Sequence, residues 1–139
     1  MGNSKKNNFV ILCDTNILIE IYRKNADIIS EVNGIMQNQP IVISDVTRAE
    51  MLVGARNKFE MQILIRELGQ LKILPIQPEI STYSIQLLAQ YYLSHDLDFH
   101  DALIAATAIH YDLELYTLNI RDFIFIPNLN LYHFPRYSS

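Results

Sequence analysis

The sequence predicts an α/β fold built on a mostly parallel sheet, and three observations lead there. Two short apolar runs, Phe9-Val10-Ile11-Leu12-Cys13 and Ile41-Val42-Ile43, show no polar alternation, which is the pattern of strands buried on both faces. Each is followed by a stretch with helical spacing of its apolar residues. Strands alternating with helices imply right-handed crossovers and hence parallel strands. At 139 residues, half of them hydrophobic, the chain fits one domain over 1–139 with a sizeable core.

Taken in order, residues 1–8 are polar and read as a flexible lead-in, and Phe9 to Cys13 is the first strand. Helical periodicity runs from Asn16 through Ile17, Ile21 and Tyr22, and resumes after Asn25 with Ile28, Ile29, Val32, Ile35 and Met36. Gln37 to Pro40 is a loop before the strand Ile41-Val42-Ile43. Ser44 or Asp45 can cap the next helix, which carries Val46, Ala49, Met51, Leu52 and Val53. Asn57-Lys58 interrupts it before Phe59, Ile63, Leu64, Leu68 and Leu71, so residues 45–71 form a helical arm on which Met51, Phe59 and Met61 stay partly exposed. A third strand lies within Lys72 to Gln77, pinned by Pro75 and Pro78. The following helix gathers Ile80, Tyr83, Leu87, Leu88 and Tyr91 on one face, and His95 to His100 form a polar connection. Asp101-Ala102-Leu103-Ile104-Ala105-Ala106-Thr107-Ala108-Ile109 is apolar almost all round, which marks a buried helix packed closely on the sheet. Leu113 to Thr117 is a fourth strand, and a turn through Arg121-Asp122-Phe123 leads to a last extended segment at Ile124–Ile126 or Leu129–Phe134.

The net charge of −4 argues against a nucleic-acid binder that works through a broad basic surface. It leaves room for a nuclease that meets its substrate through bound cations. The single cysteine, Cys13, can form no internal disulfide and reads as a core residue. The N-terminal apolar run is interrupted by Asp14, Asn16 and Glu20, so it is neither a signal sequence nor a membrane span, and the expected location is cytoplasmic.

Acids recur where strands end or the next helices begin. Asp14 follows the first strand, where it can equally serve as a helix cap. Glu50 sits in Thr47-Arg48-Ala49-Glu50, which also fits a capping box, although a cap at Asp45 places it deeper in the helix. Asp101 opens the alanine-rich helix, with Asp96 and Asp98 read as solvated loop acids beside it. Asn119 and Asp122 follow the fourth strand and can also be turn residues. No rival constellation exists. The four histidines lack zinc spacing, and there is neither a nucleophile elbow nor a phosphate-binding glycine loop. Two carboxylates ~4 Å apart repel by roughly 4 kcal/mol at an effective dielectric of about 20. A hard divalent cation relieves that repulsion and equips the site for phosphodiester hydrolysis.

Asp14-Thr15-Asn16, Glu50 in its Thr47-Arg48-Ala49-Glu50 setting, Asp101-Ala102-Leu103-Ile104-Ala105-Ala106-Thr107-Ala108, and Thr117-Leu118-Asn119 with Asp122-Phe123 together resemble a PIN-domain nuclease. Within that family the chain is most similar to VapC-type toxins of toxin–antitoxin pairs. The resemblance runs in order from Phe9 to about Phe123. It implies a three-layer α/β/α sandwich and RNA cleavage dependent on Mg²⁺ or Mn²⁺, with Asp14 and Asp101 as core metal ligands and Glu50 as the second acid. The fourth acidic position falls on Asn119 or Asp122, Thr117 is the hydroxyl beside the site, and Asn16 orients Asp14. It further implies an RNA substrate, a homodimer and an antitoxin partner, for which the 45–71 arm is the candidate surface. Two other readings stand beside it: a housekeeping RNA-processing PIN nuclease, and a non-catalytic PIN fold that binds RNA or protein. A phosphoacceptor signalling domain is disfavoured, because Asp14 has no adjacent acid and the last strand no suitable lysine.

Overall fold

The computed structural model describes residues 10–133. Five strands, β1 (Ile11–Cys13), β2 (Ile41–Ser44), β3 (Lys72–Leu74), β4 (Glu114–Tyr116) and β5 (Asn130–Leu131), form one sheet in the order β3-β2-β1-β4-β5. The sheet expected to be mostly parallel is parallel at every pairing. Six helices connect the strands: α1 (Thr15–Tyr22), α2 (Ala26–Met36), α3 (Asp45–Val53), α4 (Lys58–Leu68), α5 (Pro78–His95) and α6 (Phe99–His110).

Alternation of side chains along each short strand divides the core in two. Leu12, Val42, Leu74 and Leu115 face Ile80 and Leu87 of α5 and the small residues of α6. Ile11, Cys13, Ile41, Ile43 and Tyr116 face Ile17 and Leu18 of α1, Ile28, Val32 and Ile35 of α2, Met51 of α3 and Leu68 of α4. The result is the three-layer α/β/α sandwich that the resemblance implied. Ala102, Ala105, Ala106 and Ala108 are fully buried, so α6 lies against the sheet as its composition required. Helix starts follow ordinary capping chemistry. Asp14, Asn25, Ser44, Asn57 and Asp98 cap α1, α2, α3, α4 and α6, while α5 opens on Pro78.

Several boundaries differ from those read in the sequence. Ser44 caps α3 through Thr47 N–H, so Thr47 is an interior helical residue and the capping box with Glu50 does not form. The connection expected from His95 to His100 shrinks to residues 96–98. Asp96 ends α5 in the left-handed conformation (φ 58°), Leu97 is buried, and α6 begins at Phe99 rather than Asp101. Met51, expected on the exposed arm, is buried in the α1–α4 face of the core, whereas Phe59 is 70% exposed. Of the two alternatives for the last strand, Ile124–Ile126 spends its amides on turns back to Ile120 and Phe123, and the strand lies within the second. Phe9, Phe134 and the lead-in 1–8 fall outside the described residues.

Candidate active site

A parallel sheet of this order has its connections diverge at β1, which leaves a crevice beyond the carboxyl ends of β1 and β4. Asp14 and Thr117 are the residues that immediately follow those two strands. The ladder extends to that point, since Asp14 N–H donates to the Tyr116 carbonyl at 2.9 Å.

Asp14 is only 4% exposed, and its carboxylate is held from several sides. Oδ1 accepts from Thr15 N–H at 2.7 Å, and Oδ2 accepts from the Thr117 hydroxyl at 2.8 Å and from Asn16 Nδ2 at 3.4 Å. Asn16 in turn accepts from Leu118 N–H, and Thr117 Oγ1 from Asn119 N–H. The cap and the functional candidate are therefore one residue. Its side chain satisfies the first helical amide and still presents a fixed carboxylate at the crevice.

Glu50 enters from α3, six residues beyond the Ser44 cap. Its Oε1 accepts from the Thr15 hydroxyl at 2.5 Å, and the Thr15 and Thr47 hydroxyls are 3.1 Å apart. Thr47 is fully buried, so the Thr47–Thr15–Glu50 chain ties α3 to the start of α1. Asp101 enters from the first turn of α6, where its N–H donates to Asp98 Oδ1 at 2.8 Å. Between the two acids stands His100, with Nδ1 3.2 Å from Asp101 Oδ1 and Nε2 2.5 Å from Glu50 Oε1, the latter off the line of a good hydrogen bond.

Asn119 and Asp122 bracket a single 3₁₀ turn, Ile120–Asp122. Residues three apart on such a turn project the same way, and both line the cleft. The two alternatives left open by the sequence are thus both at the site. The cleft, of about 520 Å³, is lined by Asp14, Glu50, Asp98, Asp101 and Asp122, with Thr15, Asn16, Asn119 and His100.

Electrostatics follow from this crowding. Burial pushes the Asp14 carboxyl above its ordinary range despite the hydrogen bonds from Thr117 and Thr15, and Asp101 adds to the rise. The hydrogen bond with Asp101, helped by the charge of Glu50, raises His100 to about 9 against the opposing effect of burial, so it carries charge at neutral pH. Among the described residues it is the one basic side chain lining the cleft. A set of carboxylate oxygens with so little positive charge of its own fits a hard divalent cation. Nearby, carboxylate and imidazole atoms of Asp98, His100 and Asp101 come within 4.8 Å of one another.

Reasoning from sequence passed over Thr15, Thr47, Asp98 and His100. Asp98, read as a solvated loop acid, is exposed but caps α6 and lines the cleft. The available signal was position. Thr15 adjoins Asp14, and Asp98 and His100 fall within three residues of Asp101.

Comparison with known proteins places these features in context. A PIN domain family model matches residues 11–125. Ribonuclease VapC10 of Mycobacterium tuberculosis is 31% identical over 115 residues, 82% of this chain and 86% of its own length. Ribonuclease VapC19 of the same organism is 32% identical over 122 residues, 85% of this chain and 95% of its own. Among solved structures, VapBC2 from Rickettsia felis, bound to a DNA fragment from their promoter, aligns with a TM-score of 0.75 at 26% identity, covering 89% of this chain and 98% of that one. A toxin–antitoxin complex from Klebsiella pneumoniae gives 0.70 at 32% identity, covering 86% and 94%.

Proposed function

The chain belongs to the PIN-domain family, and on that premise we propose that it is a divalent-metal-dependent endoribonuclease and the toxin of a toxin–antitoxin pair. The observation that carries this reading is the convergence of Asp14, Glu50, Asp101 and Asp122, from four separate segments, on one cleft at the switch point of the sheet. Relatives named as ribonucleases support the RNA-cleaving part, and similar toxin–antitoxin structures support the partner.

In this reading Asp14 and Asp101 hold Mg²⁺ or Mn²⁺, with Glu50 and Asp122 completing the acid set and Asn119 supporting. What a bound ion supplies there is neutralisation of phosphodiester charge and acidification of water. The chain's own residues do the positioning. Thr15 N–H, Asn16 and Thr117 hold both oxygens of Asp14 and keep the carboxylate from turning. Thr15 and His100 hold Glu50 from two sides, and its partial exposure lets it take the proton of an incoming water. Water rather than the ribose 2′-hydroxyl is the nucleophile, so products carry 5′-phosphate ends.

The α3–α4 arm, residues 45–71, is proposed as the surface for the antitoxin or for a second copy in a homodimer. Val53, Phe59 and Ile65 stand 81%, 70% and 56% exposed on it. An apolar cleft of about 420 Å³, lined by Leu18, Ile21, Val32 and Leu71 among others, runs between α1, α2 and α4 and suits an antitoxin segment. Among the described residues no helix is long and apolar enough to cross a membrane.

The test is cleavage of labelled RNA by purified protein with Mg²⁺ or Mn²⁺, abolished by chelator and by Asp14→Asn, with the product ends identified by mass spectrometry. Cyclic 2′,3′-phosphate ends overturn the water mechanism. Absence of cleavage with any divalent ion overturns the nuclease reading.

A further inference from the structure

We propose that Arg121 is a substrate-binding residue whose guanidinium takes a phosphate of the RNA strand at the rim of the acidic cleft. The inference rests on the nuclease reading and deepens it. The difficulty it answers is electrostatic. A polyanionic strand must approach a cleft lined by Asp14, Glu50, Asp98, Asp101 and Asp122, on a chain of net charge −4. His100 lies inside the cleft against Glu50 and Asp101, so its charge is directed at those acids rather than at the approaching strand.

The sequence alone left the cations unranked, and the structure ranks them. Arg48 shares α3 with Glu50 but is bound to Asp45 at 2.6 Å. Arg56 is held by both oxygens of Glu60, and Arg23 by Glu20. Lys58 and Arg66 lie on α4 and Lys72 on β3, elements that contribute nothing to the cleft. Lys24 follows the far end of α1, which is about 12 Å long at 1.5 Å per residue, and it lines the apolar cleft instead. Lys5, Lys6 and Arg136 fall outside the described residues.

Arg121 is what this elimination leaves, and its placement suits the role. It sits on the 3₁₀ turn between Asn119 and Asp122, both of which line the cleft. A step of about 120° per residue on such a turn sends its side chain off to one side of theirs, at the rim rather than the floor. It is exposed and has no ion-pair partner among the described residues. The turn beneath it is firm. Phe123 is 1% exposed in the core, Asn119 N–H donates to Thr117 Oγ1, and Asp122 N–H donates to the Asn119 carbonyl. A planar guanidinium on such a base can meet two phosphate oxygens at once.

The experiment is steady-state cleavage of a short single-stranded RNA with Mn²⁺, across a series of salt concentrations, by the wild type, Arg121→Ala, Arg121→Lys and Arg66→Ala. For Arg121→Ala, KM rises about tenfold, as for one lost charge-assisted contact, while kcat stays near wild type. The slope of log KM against log salt falls by about 0.7, one phosphate contact on a single strand. Arg121→Lys keeps the slope and recovers part of KM, Arg66→Ala matches wild type, and the Mn²⁺-induced rise in Tm is the same in all four. An Arg121→Ala enzyme with unchanged KM and slope overturns the proposal, as does one that loses kcat and the Mn²⁺ response together. A wild type that cuts no RNA overturns the nuclease reading instead, and fluorescence anisotropy of the same RNA on the same four proteins then decides Arg121 by itself.

Discussion

Replacing Asp14 by Asn should leave the stability of the metal-free protein close to that of the wild type while removing most of the stability that metal adds. Asp14 is 4% exposed, and its ionised carboxylate is disfavoured by burial and by Asp101. Its folded-state pKa is therefore raised. Between the ordinary carboxylate value and the raised one, the folded state binds more protons than the unfolded state, so stability falls as pH rises through that window. Asn has the same shape without the charge, but it keeps one acceptor oxygen where the carboxylate offers two, so the Thr117 and Asn16 contacts are weakened as the buried charge is relieved. The two effects oppose each other, and metal-free Asp14→Asn is expected to melt close to the wild type at neutral pH and to lack this pH slope. Metal separates the two proteins. At about one hundred times its Kd, a ligand specific to the folded state adds about 2.7 kcal/mol. With about 4 °C per kcal/mol for a chain of this size, the wild type gains roughly 10 °C and the variant little. The assay is thermal melting by circular dichroism at several pH values, with Mn²⁺ and with chelator. A variant that melts well below the wild type in chelator, or gains as much from Mn²⁺, refutes the assignment of Asp14 as a buried, under-neutralised ligand.

Three further substitutions probe the supports of the site and the fold. Thr15→Val removes the 2.5 Å hydrogen bond that fixes Glu50; kcat should fall about tenfold with KM nearly unchanged, the scale of one hydrogen bond to a charged group, as read by steady-state RNA cleavage. Ser44→Ala deletes the cap of α3 and should cost about 1 kcal/mol in urea unfolding, with cleavage retained. Ala105→Leu forces a larger side chain between α6 and the sheet, where Ala105 is fully buried; unfolding should show a loss of about 1–3 kcal/mol, and little or no loss would mean that α6 does not pack as closely as its alanines indicate.

How much of this was legible depends on whether the signal was local. The strands β1 and β2 and the helix α6 declare themselves through continuous apolar runs, because burial on both faces leaves no polar position to blur the pattern. The positions of Asp14 and Asp101 are readable for the same reason, since each borders such a run, whereas Glu50 lies inside an amphipathic helix and stands out only through the company of the other acids. Two things could not be read locally. The cap of α3 could be Ser44, Asp45 or Thr47, and only Ser44, at the buried end of β2, has its side chain turned onto the helix amides. The close approach of His100 to Glu50 joins residues fifty apart and depends on how α6 lies against α3. Asp98 is the solvated acid of the connection that the sequence suggests, but its capping of α6 is hidden because a capping acid and a loop acid have the same sequence signature. The shortness of the connection, set by the left-handed Asp96 and the buried Leu97, decides between them.

The cleft also explains why its charges belong at this point of the fold. Several carboxylates face one imidazole there, and one unneutralised pair at ~4 Å costs about 4 kcal/mol at an effective dielectric of about 20. A native domain is stable by only about 5–15 kcal/mol, so this cluster can be kept only where the surrounding structure is hard to displace. The carboxyl end of the central strand meets that need. Cys13, Ile11 and Ile17 beneath Asp14 are fully buried, the β1–β4 ladder continues through the Asp14 amide, and Thr117 reaches across from the neighbouring strand. Asp122, by contrast, stands on an exposed turn outside the ladder, where an acid costs less. The buried end of the central strand holds the acid that costs most, and the phosphate contact proposed for Arg121 lies at the exposed edge of the same cleft. Changes at Asp14 should therefore show in the pH dependence of stability and in metal response together, and changes at Arg121 only in how RNA is bound.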